Sequence, residues 1–207
     1  MIFHIWRHPK PIAANGFCIG QTDISVDKRK IKRLANKIQR FVRLHQLPKF
    51  IWVSPLQRSL KVGEMLAKQG FQYHVAPELA EIDFGNWDAQ PWAQIPKQEI
   101  DDWCNNFADF APKHGESLQQ LFERVESWIN EIARQNSSHR PILVVGHAGW
   151  INAASMIVAG QEVPKKAVEW PRPVNYLEHS QLEKKKKKTD HLKWPVSWVM
   201  HFSIYFS

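Results

Sequence analysis

Three short apolar runs in the chain break off at residues suited to handling an anion. Ile2, Phe3, Ile5 and Trp6 stop at Arg7-His8-Pro9, Phe50 to Val53 stop at Ser54-Pro55 with Arg58 close behind, and Ile142 to Val145 stop at Gly146-His147. Brought to one edge, two imidazoles and two guanidiniums would form a concentrated cationic pocket. The planar fork of arginine donates paired hydrogen bonds to a phosphoryl group and does not lose its charge. A neutral imidazole can attack phosphorus, and a second, protonated one can hold the oxygens on which negative charge gathers. A carboxylic acid on a nearby loop, Glu81 or Asp83, could protonate a departing alcohol. The residue types suit phosphoryl chemistry.

Placing these residues together requires the apolar runs to be neighbouring strands, and their continuous apolar character predicts strands buried on both faces. Asp27 can cap a helix with Ile31, Leu34, Ala35, Ile38, Phe41 and Val42 at three- and four-residue steps. Leu56, Leu60 and Met65 continue as a second helix towards Gly70, Phe71 to Val75 predicts another strand, and Pro77 to Gly85 reads as loop. Ser117 opens a helix with Leu118, Leu121, Phe122, Val125, Trp128, Ile129 and Ile132 on one face; Ile151, Ala154, Ile157 and Val158 mark one more, closed by Gly160. Trp87 to Phe110 has no clear period and reads as short helices in an insertion, and Val174 to Leu182 as a last strand. This alternation predicts an α/β fold, a three-layer α/β/α sandwich around a mainly parallel, doubly wound sheet. In such sheets the ligand lies beyond the carboxyl ends of the strands, where Arg7, His8, Ser54, Arg58 and His147 stand.

The chain has 207 residues, 43% of them hydrophobic and 23% charged, which excludes collagen-like, coiled-coil and wholly disordered classes and fits one globular domain. Its formal charge is +8, but six lysines from Lys184 onward, offset by Asp190, supply +5 and leave residues 1–183 at +3. The expected division is a domain over 1–183 and a basic, aromatic, flexible tail over 184–207. A mildly basic body suits a phosphate-sized anion, so the expected partner is a small-molecule phosphate monoester and not nucleic acid. For the lysine run, a solvated tail is favoured over contact with an anionic membrane surface. The stretch Trp194 to Phe206, with Pro195 and His201, is too short to span a bilayer. Two cysteines without C-x-x-C spacing, and an N-terminus without a basic leader or long apolar stretch, predict a reduced, cytoplasmic setting. Ten tryptophans spread from Trp6 to Trp198 read as packing residues. The remaining histidines lack ligand spacing, so neither a metal nor another cofactor is expected. The oligomeric state is open, a homodimer included.

Read together, residues 6–8, SPLQR at 54–58, ELAEIDFGNW at 78–87, HGES at 114–117 and VVGHAG at 144–149 resemble the histidine phosphatase superfamily, in its phosphoglycerate mutase-like branch, over roughly residues 1–160. The resemblance implies a phosphoglycerate mutase-like fold and metal-independent hydrolysis of a phosphomonoester through phosphohistidine. It makes His8 the nucleophile, Arg7 and Arg58 the phosphate clamp, His147 the second pocket histidine, and Glu81, in preference to Asp83, the proton donor. GFCIGQTD at 16–23 and the compact length resemble the α-ribazole phosphatases, which implies α-ribazole 5′-phosphate or the corresponding cobalamin phosphate as substrate. A broad-specificity or sugar-phosphate phosphatase of the same family is the alternative, and a non-catalytic anion-binding protein is the alternative of another class.

Gly20 and Thr22 could give a backbone N–H and a hydroxyl to phosphate, or form a plain turn. Ser54 is read as turning the chain or capping the next helix, His114 as facing solvent and Cys18 as buried. Three departures from the family pattern stand out: Pro9 in place of glycine, implying altered geometry rather than lost activity; Ala14-Asn15 where the family has Asn six residues after the nucleophile; and Trp87-Asp88-Ala89 for W-E-G.

Overall fold

The structure, a computed structural model, describes residues 1–12, 14–136 and 140–184. The elements in chain order are β1 (Ile2–Arg7), α1 (Lys28–Leu44), β2 (Phe50–Val53), α2 (Gln57–Ala67), β3 (Gln72–Val75), α3 (Lys97–Asn105), α4 (Leu118–Gln135), β4 (Ile142–Gly146), α5 (Ala148–Val158) and β5 (His179–Glu183). Alternation along β1 sets the layers, since successive side chains of a strand point to opposite faces. Phe3 and Ile5 join the core beneath α4 and α5, together with Val144 of β4. Trp6 joins the other core, where Ile31, Leu34 and Ile38 of α1 and Val62 and Leu66 of α2 pack on Ile51, Val53, Leu143 and Val145. Burying each such aliphatic side chain contributes about 1.5–3 kcal/mol, so both helical layers are held mainly by these stripes.

The sheet order is β3-β2-β4-β1-β5, parallel throughout except for antiparallel β5. The expected α/β/α sandwich with a mainly parallel sheet is the observed fold. Register does the positioning. Arg7 lies opposite Gly146 and Val53 opposite Val145, so β1, β2 and β4 end at one level and deliver His8, Ser54 and His147 side by side.

The helix starts follow the sequence reading. Asp27 accepts from the Arg29 N–H at 2.7 Å to cap α1, and Ser117 with Gln120 forms a reciprocal capping box on α4. Trp87 to Phe110 contains short helices, with 3-10 turns at Gly85–Trp87 and Trp92–Gln94 followed by α3, around a small cluster of Cys18, Trp87 and Ile95.

Two boundaries differ from expectation. Phe71 is not in β3 but buried in the core beneath α2. The last strand begins at His179, not Val174, because residues 174–178 form a turn fastened to Arg7. The Arg7 N–H donates to Glu178 O, the Leu177 N–H donates to Arg7 O, and Leu177 has φ +65°. At its far end β5 meets the N-terminus, where the Met1 ammonium donates to Lys184 O. Of the tail expected over 184–207, all but Lys184 lies outside the described residues.

Candidate active site

The parallel ladder continues one residue past β1: the His8 N–H donates to Gly146 O at 3.0 Å. This puts the His8 and His147 rings 4.8 Å apart between centroids. His8 Nδ1 lies 2.8 Å from Pro9 O. A carbonyl only accepts, so Nδ1 carries the proton and Nε2 keeps its lone pair. Proline at position 9 lacks an N–H, yet its carbonyl still sets the tautomer that a nucleophile needs. Burial, then Arg58, hold the His8 pKa well below the ordinary value, opposed by the Pro9 hydrogen bond and aided by Arg7. His8 is therefore a neutral imidazole at neutral pH.

His147 is also neutral, its pKa depressed first by burial and then by Arg58, His8, Arg7 and Arg124. Arg58 Nε donates to its Nδ1 at 3.2 Å, so the ring proton sits on Nε2 and points to Ser54 Oγ at 2.7 Å. Both ring nitrogens have protein partners. The local positive charge accordingly resides on the guanidiniums and not on a second imidazolium. Ser54 does turn the chain, accepting from the Leu56 N–H at 3.1 Å, but it also holds His147, which the sequence reading missed.

Arg58 is 1% exposed and is fixed by backbone carbonyls, Nη1 donating to Thr22 O at 2.9 Å and Nη2 to Gly20 O. Arg7 Nη1 donates to Val174 O at 2.6 Å, and its guanidinium carbon stands 3.8 Å from the centre of the Tyr176 ring. The same tyrosine meets His8 edge-on, with centroids 5.6 Å apart. Tyr176 has no signal in the sequence, because the turn that carries it has no apolar period.

Glu81 is buried against the start of α5. Its Oε2 accepts from the Gly149 N–H at 3.1 Å, and its Oε1 from Trp150 at 3.2 Å and Ile82 at 3.1 Å. A helix N-terminus offers unpaired N–H groups, and Glu81 takes them. A Cβ at position 149 would stand 2.5 Å from Glu81 Oε1, so only glycine allows this approach. Asp83 instead accepts from the Gly85 N–H within its own turn.

Arg7, His8, Arg58 and Glu81 line one cavity of about 380 Å³. Its walls include Phe17, Phe84, Trp92, Trp103, Phe107, Trp170 and Tyr176. Trp92 and Trp103 stack with centroids 6.1 Å apart, and Phe84 meets Trp92 edge-on at 5.7 Å. Among the described residues no group of three or more His, Cys, Asp or Glu is placed to hold a metal ion. No helix among them is long and apolar enough to cross a membrane.

Comparison with known proteins places the chain in a family. A model of the histidine phosphatase superfamily (branch 1) matches residues 3–195. The chain belongs to that superfamily. Over 100 residues it is 28% identical to the adenosylcobalamin/alpha-ribazole phosphatase of Escherichia coli (strain K12), covering 46% of this chain and 49% of that protein. The figures are the same for the protein of that name from Salmonella typhimurium (strain LT2). The chain thus spans about half the length of the curated relatives it matches. Among solved structures, a mycobacterial glucosyl-3-phosphoglycerate phosphatase in complex with VO3 superposes with a TM-score of 0.73 at 23% identity, covering 88% of this chain and 92% of that one. The alpha-ribazole phosphatase from Shigella flexneri does so at 0.71 and 23%, covering 88% and 90%. At these identities the likeness is one of fold.

Within this histidine phosphatase superfamily member, three expected site residues do not line the cavity: His147, fully buried with its ring held between Arg58 and Ser54, and the pair Gly20 and Thr22. Gly20 and Thr22 give their donors to Asp88: the Gly20 N–H at 3.0 Å, the Thr22 N–H at 3.1 Å and the Thr22 hydroxyl at 2.6 Å, joined by the Gln21 N–H at 2.5 Å. With all four donors given to this carboxylate, none of them is left for phosphate. Their contribution is indirect, through the two carbonyls that hold Arg58. Asn15 and His114 are exposed, while Ala14 lines the cavity. Cys18 is fully buried, and burial followed by Asp88 pushes its thiol pKa up, which suits a packing role.

Proposed function

We propose that this superfamily member is a phosphomonoesterase working through a phosphohistidine on His8. The observation that carries the reading is the His8 tautomer, fixed by Pro9 O so that Nε2 is unprotonated at the floor of a cavity holding Arg7, Arg58 and Glu81. Nε2 attacks phosphorus, the bond from phosphorus to the ester oxygen breaks, and Glu81 gives that oxygen its proton. Water then attacks the phosphohistidine, the phosphorus–nitrogen bond breaks, Glu81 takes the water proton, and inorganic phosphate leaves. Arg7 and Arg58 hold the phosphoryl oxygens by charge. These two guanidiniums meet the electrostatic demand with protein groups, so turnover is expected to survive EDTA. In this reading residues 1–183 form the catalytic domain.

The substrate we infer is α-ribazole 5′-phosphate or the corresponding cobalamin phosphate. Two observations support it: the aromatic cavity wall, which suits a planar base, and the partial likeness to the adenosylcobalamin/alpha-ribazole phosphatase of Escherichia coli. The test compares kcat/KM for α-ribazole 5′-phosphate with that for sugar and nucleotide phosphates, and looks for acid-quenched phosphate on His8. Preference for a sugar phosphate would move the substrate within the family. Tight phosphate binding without turnover would leave an anion-binding protein on the same fold.

A further inference from the structure

The +3 of residues 1–183 conceals an uneven distribution. Helix α1 has eight Lys and Arg among its 17 residues and no acid. Everything else in residues 1–183 is therefore five negative on balance. All eight cations are exposed. Arg29 pairs with Asp27, and Lys37 donates to Leu177 O. The side chains of Lys28, Lys30, Lys32, Arg33, Arg40 and Arg43 make no hydrogen bond or ion pair with any described residue. Like charges four apart, such as Lys28 with Lys32 and Arg29 with Arg33, oppose helix formation by about 0.2–0.5 kcal/mol each. Burial of Ile31, Leu34, Ala35, Ile38 and Val42 against the sheet offsets that repulsion without relieving it. An anionic partner would relieve it.

We propose that the exposed face of α1 is a docking surface for an anionic lipid bilayer. The apolar stripe of α1 is fully occupied by the sheet, so the helix is held flat along the body over about 25 Å and presents its cations as a broad, shallow patch. A planar array of headgroups matches such a patch; a groove would need a protruding element. Leu44, at the last turn, is 73% exposed, an apolar side chain beside the cations. The sequence supplies a second signal of the same kind, a lysine run followed by Trp194, Val196, Trp198, Val199 and Phe202. Lysines next to aromatic and aliphatic residues suit a bilayer interface, and stable attachment generally takes two signals acting together. The bare phosphates of a nucleic acid would find no use for the apolar residues. None of the α1 cations lines the catalytic cavity, so the proposal stands or falls independently of the phosphatase reading.

The test is sedimentation of the full chain with vesicles of pure phosphatidylglycerol or pure phosphatidylcholine. The expected result is binding to phosphatidylglycerol only, weakened by salt. Lys32→Gln, Arg33→Gln, Arg40→Gln and Arg43→Gln together should lower that binding on the order of a thousandfold, since each cation near such a surface contributes about 1 kcal/mol. Glutamine preserves helix propensity, and an unchanged far-ultraviolet circular dichroism spectrum would show that the variant is folded. Equal binding to both vesicles, binding to neither, or an unaffected quadruple variant would overturn the proposal. So would tighter binding to duplex DNA than to phosphatidylglycerol at the same ionic strength.

Discussion

Arg58 Nε donates to His147 Nδ1 at 3.2 Å, and this one contact decides where the imidazole proton sits. With Nδ1 accepting, Nε2–H must find an acceptor, and Ser54 Oγ at 2.7 Å provides it. Ser54→Ala would leave two donors, His147 Nε2–H and the Leu56 N–H, without their partner. Each buried unsatisfied donor costs about 1–3 kcal/mol, so urea unfolding should report a loss of about 2 kcal/mol or more. Activity should fall as well, because the ring against which His8 packs is then held by Arg58 alone. A variant that loses stability but keeps full kcat would show that His147 needs no such restraint.

Asp88 acts on Arg58 through the backbone between them. Its carboxylate gathers the N–H groups of residues 20–22, whose carbonyls at Gly20 and Thr22 face the guanidinium. Asp88→Ala should therefore raise KM and weaken inhibition by inorganic phosphate, with a loss of roughly tenfold or more in kcat/KM, equivalent to about 1.4 kcal/mol. Asp88→Asn keeps only part of the acceptor capacity and should fall in between. Unchanged phosphate affinity in the alanine variant would separate Asp88 from Arg58.

Much of this arrangement is legible in the sequence where local pattern and position agree. The breaks at Arg7-His8, Ser54 and Gly146-His147 mark strand ends because strands buried on both faces are continuous apolar runs, and parallel pairing then aligns those ends. The buried face of α4 is the set that its period marks. What the sequence withholds depends on partners distant in the chain. Glu81 and Asp83 are two residues apart on one loop, and residue type alone does not separate them; in the fold Glu81 meets the N-terminus of α5 while Asp83 accepts within its own turn. Gly20 and Thr22 look like phosphate donors until Asp88 is placed against them. The wall of Phe84, Trp92 and Trp103 comes from 3-10 turns and a short helix, which have no period to read. A remainder of −5 and a +8 helix sum to only +3 over the body, so the basic face of α1 is hidden from composition.

Tyr176 holds Arg7 by its ring face, not by its hydroxyl. Tyr176→Phe should therefore be nearly silent, whereas Tyr176→Ala should lose a cation–π contact of about 0.5–2 kcal/mol and weaken vanadate and phosphate binding by about 2- to 30-fold. A phenylalanine variant as impaired as the alanine one would transfer the role to the hydroxyl.

Acid should destabilise the fold through histidines held neutral. His4 Nδ1 lies 3.1 Å from His179 Nε2, within an aromatic cluster with Trp6 and Phe41. Burial, then His179 and His45, lower the His4 pKa from 6.5 to about 4. Between these values the unfolded chain binds the proton and the folded chain does not, so this contribution is full above about 6.5 and is lost as pH falls towards 4. His8 and His147 shift in the same direction. Urea midpoints should decline over that window, less steeply in His4→Phe. A midpoint independent of pH there would contradict the buried neutral state.

The acid role proposed for Glu81 can be isolated from a positioning role by the leaving group. An alkyl alcohol needs a proton to depart, whereas p-nitrophenolate departs without one. Glu81→Gln should therefore lower kcat/KM for an alkyl phosphate by about 10²–10⁴, the usual contribution of general acid catalysis, and lower it much less for p-nitrophenyl phosphate. The comparison must use kcat/KM, because that ratio reports formation of the phosphohistidine, while kcat also includes its hydrolysis, where Glu81 acts on water for either substrate. Gly149→Ala offers an independent route to the same question. Its Cβ would meet Glu81 Oε1 at 2.5 Å and displace the carboxyl without changing its chemistry. The alanine variant should show the same discrimination between the two substrates, in smaller degree. If both variants slow both substrates equally, Glu81 orders the start of α5 and the proton comes from elsewhere.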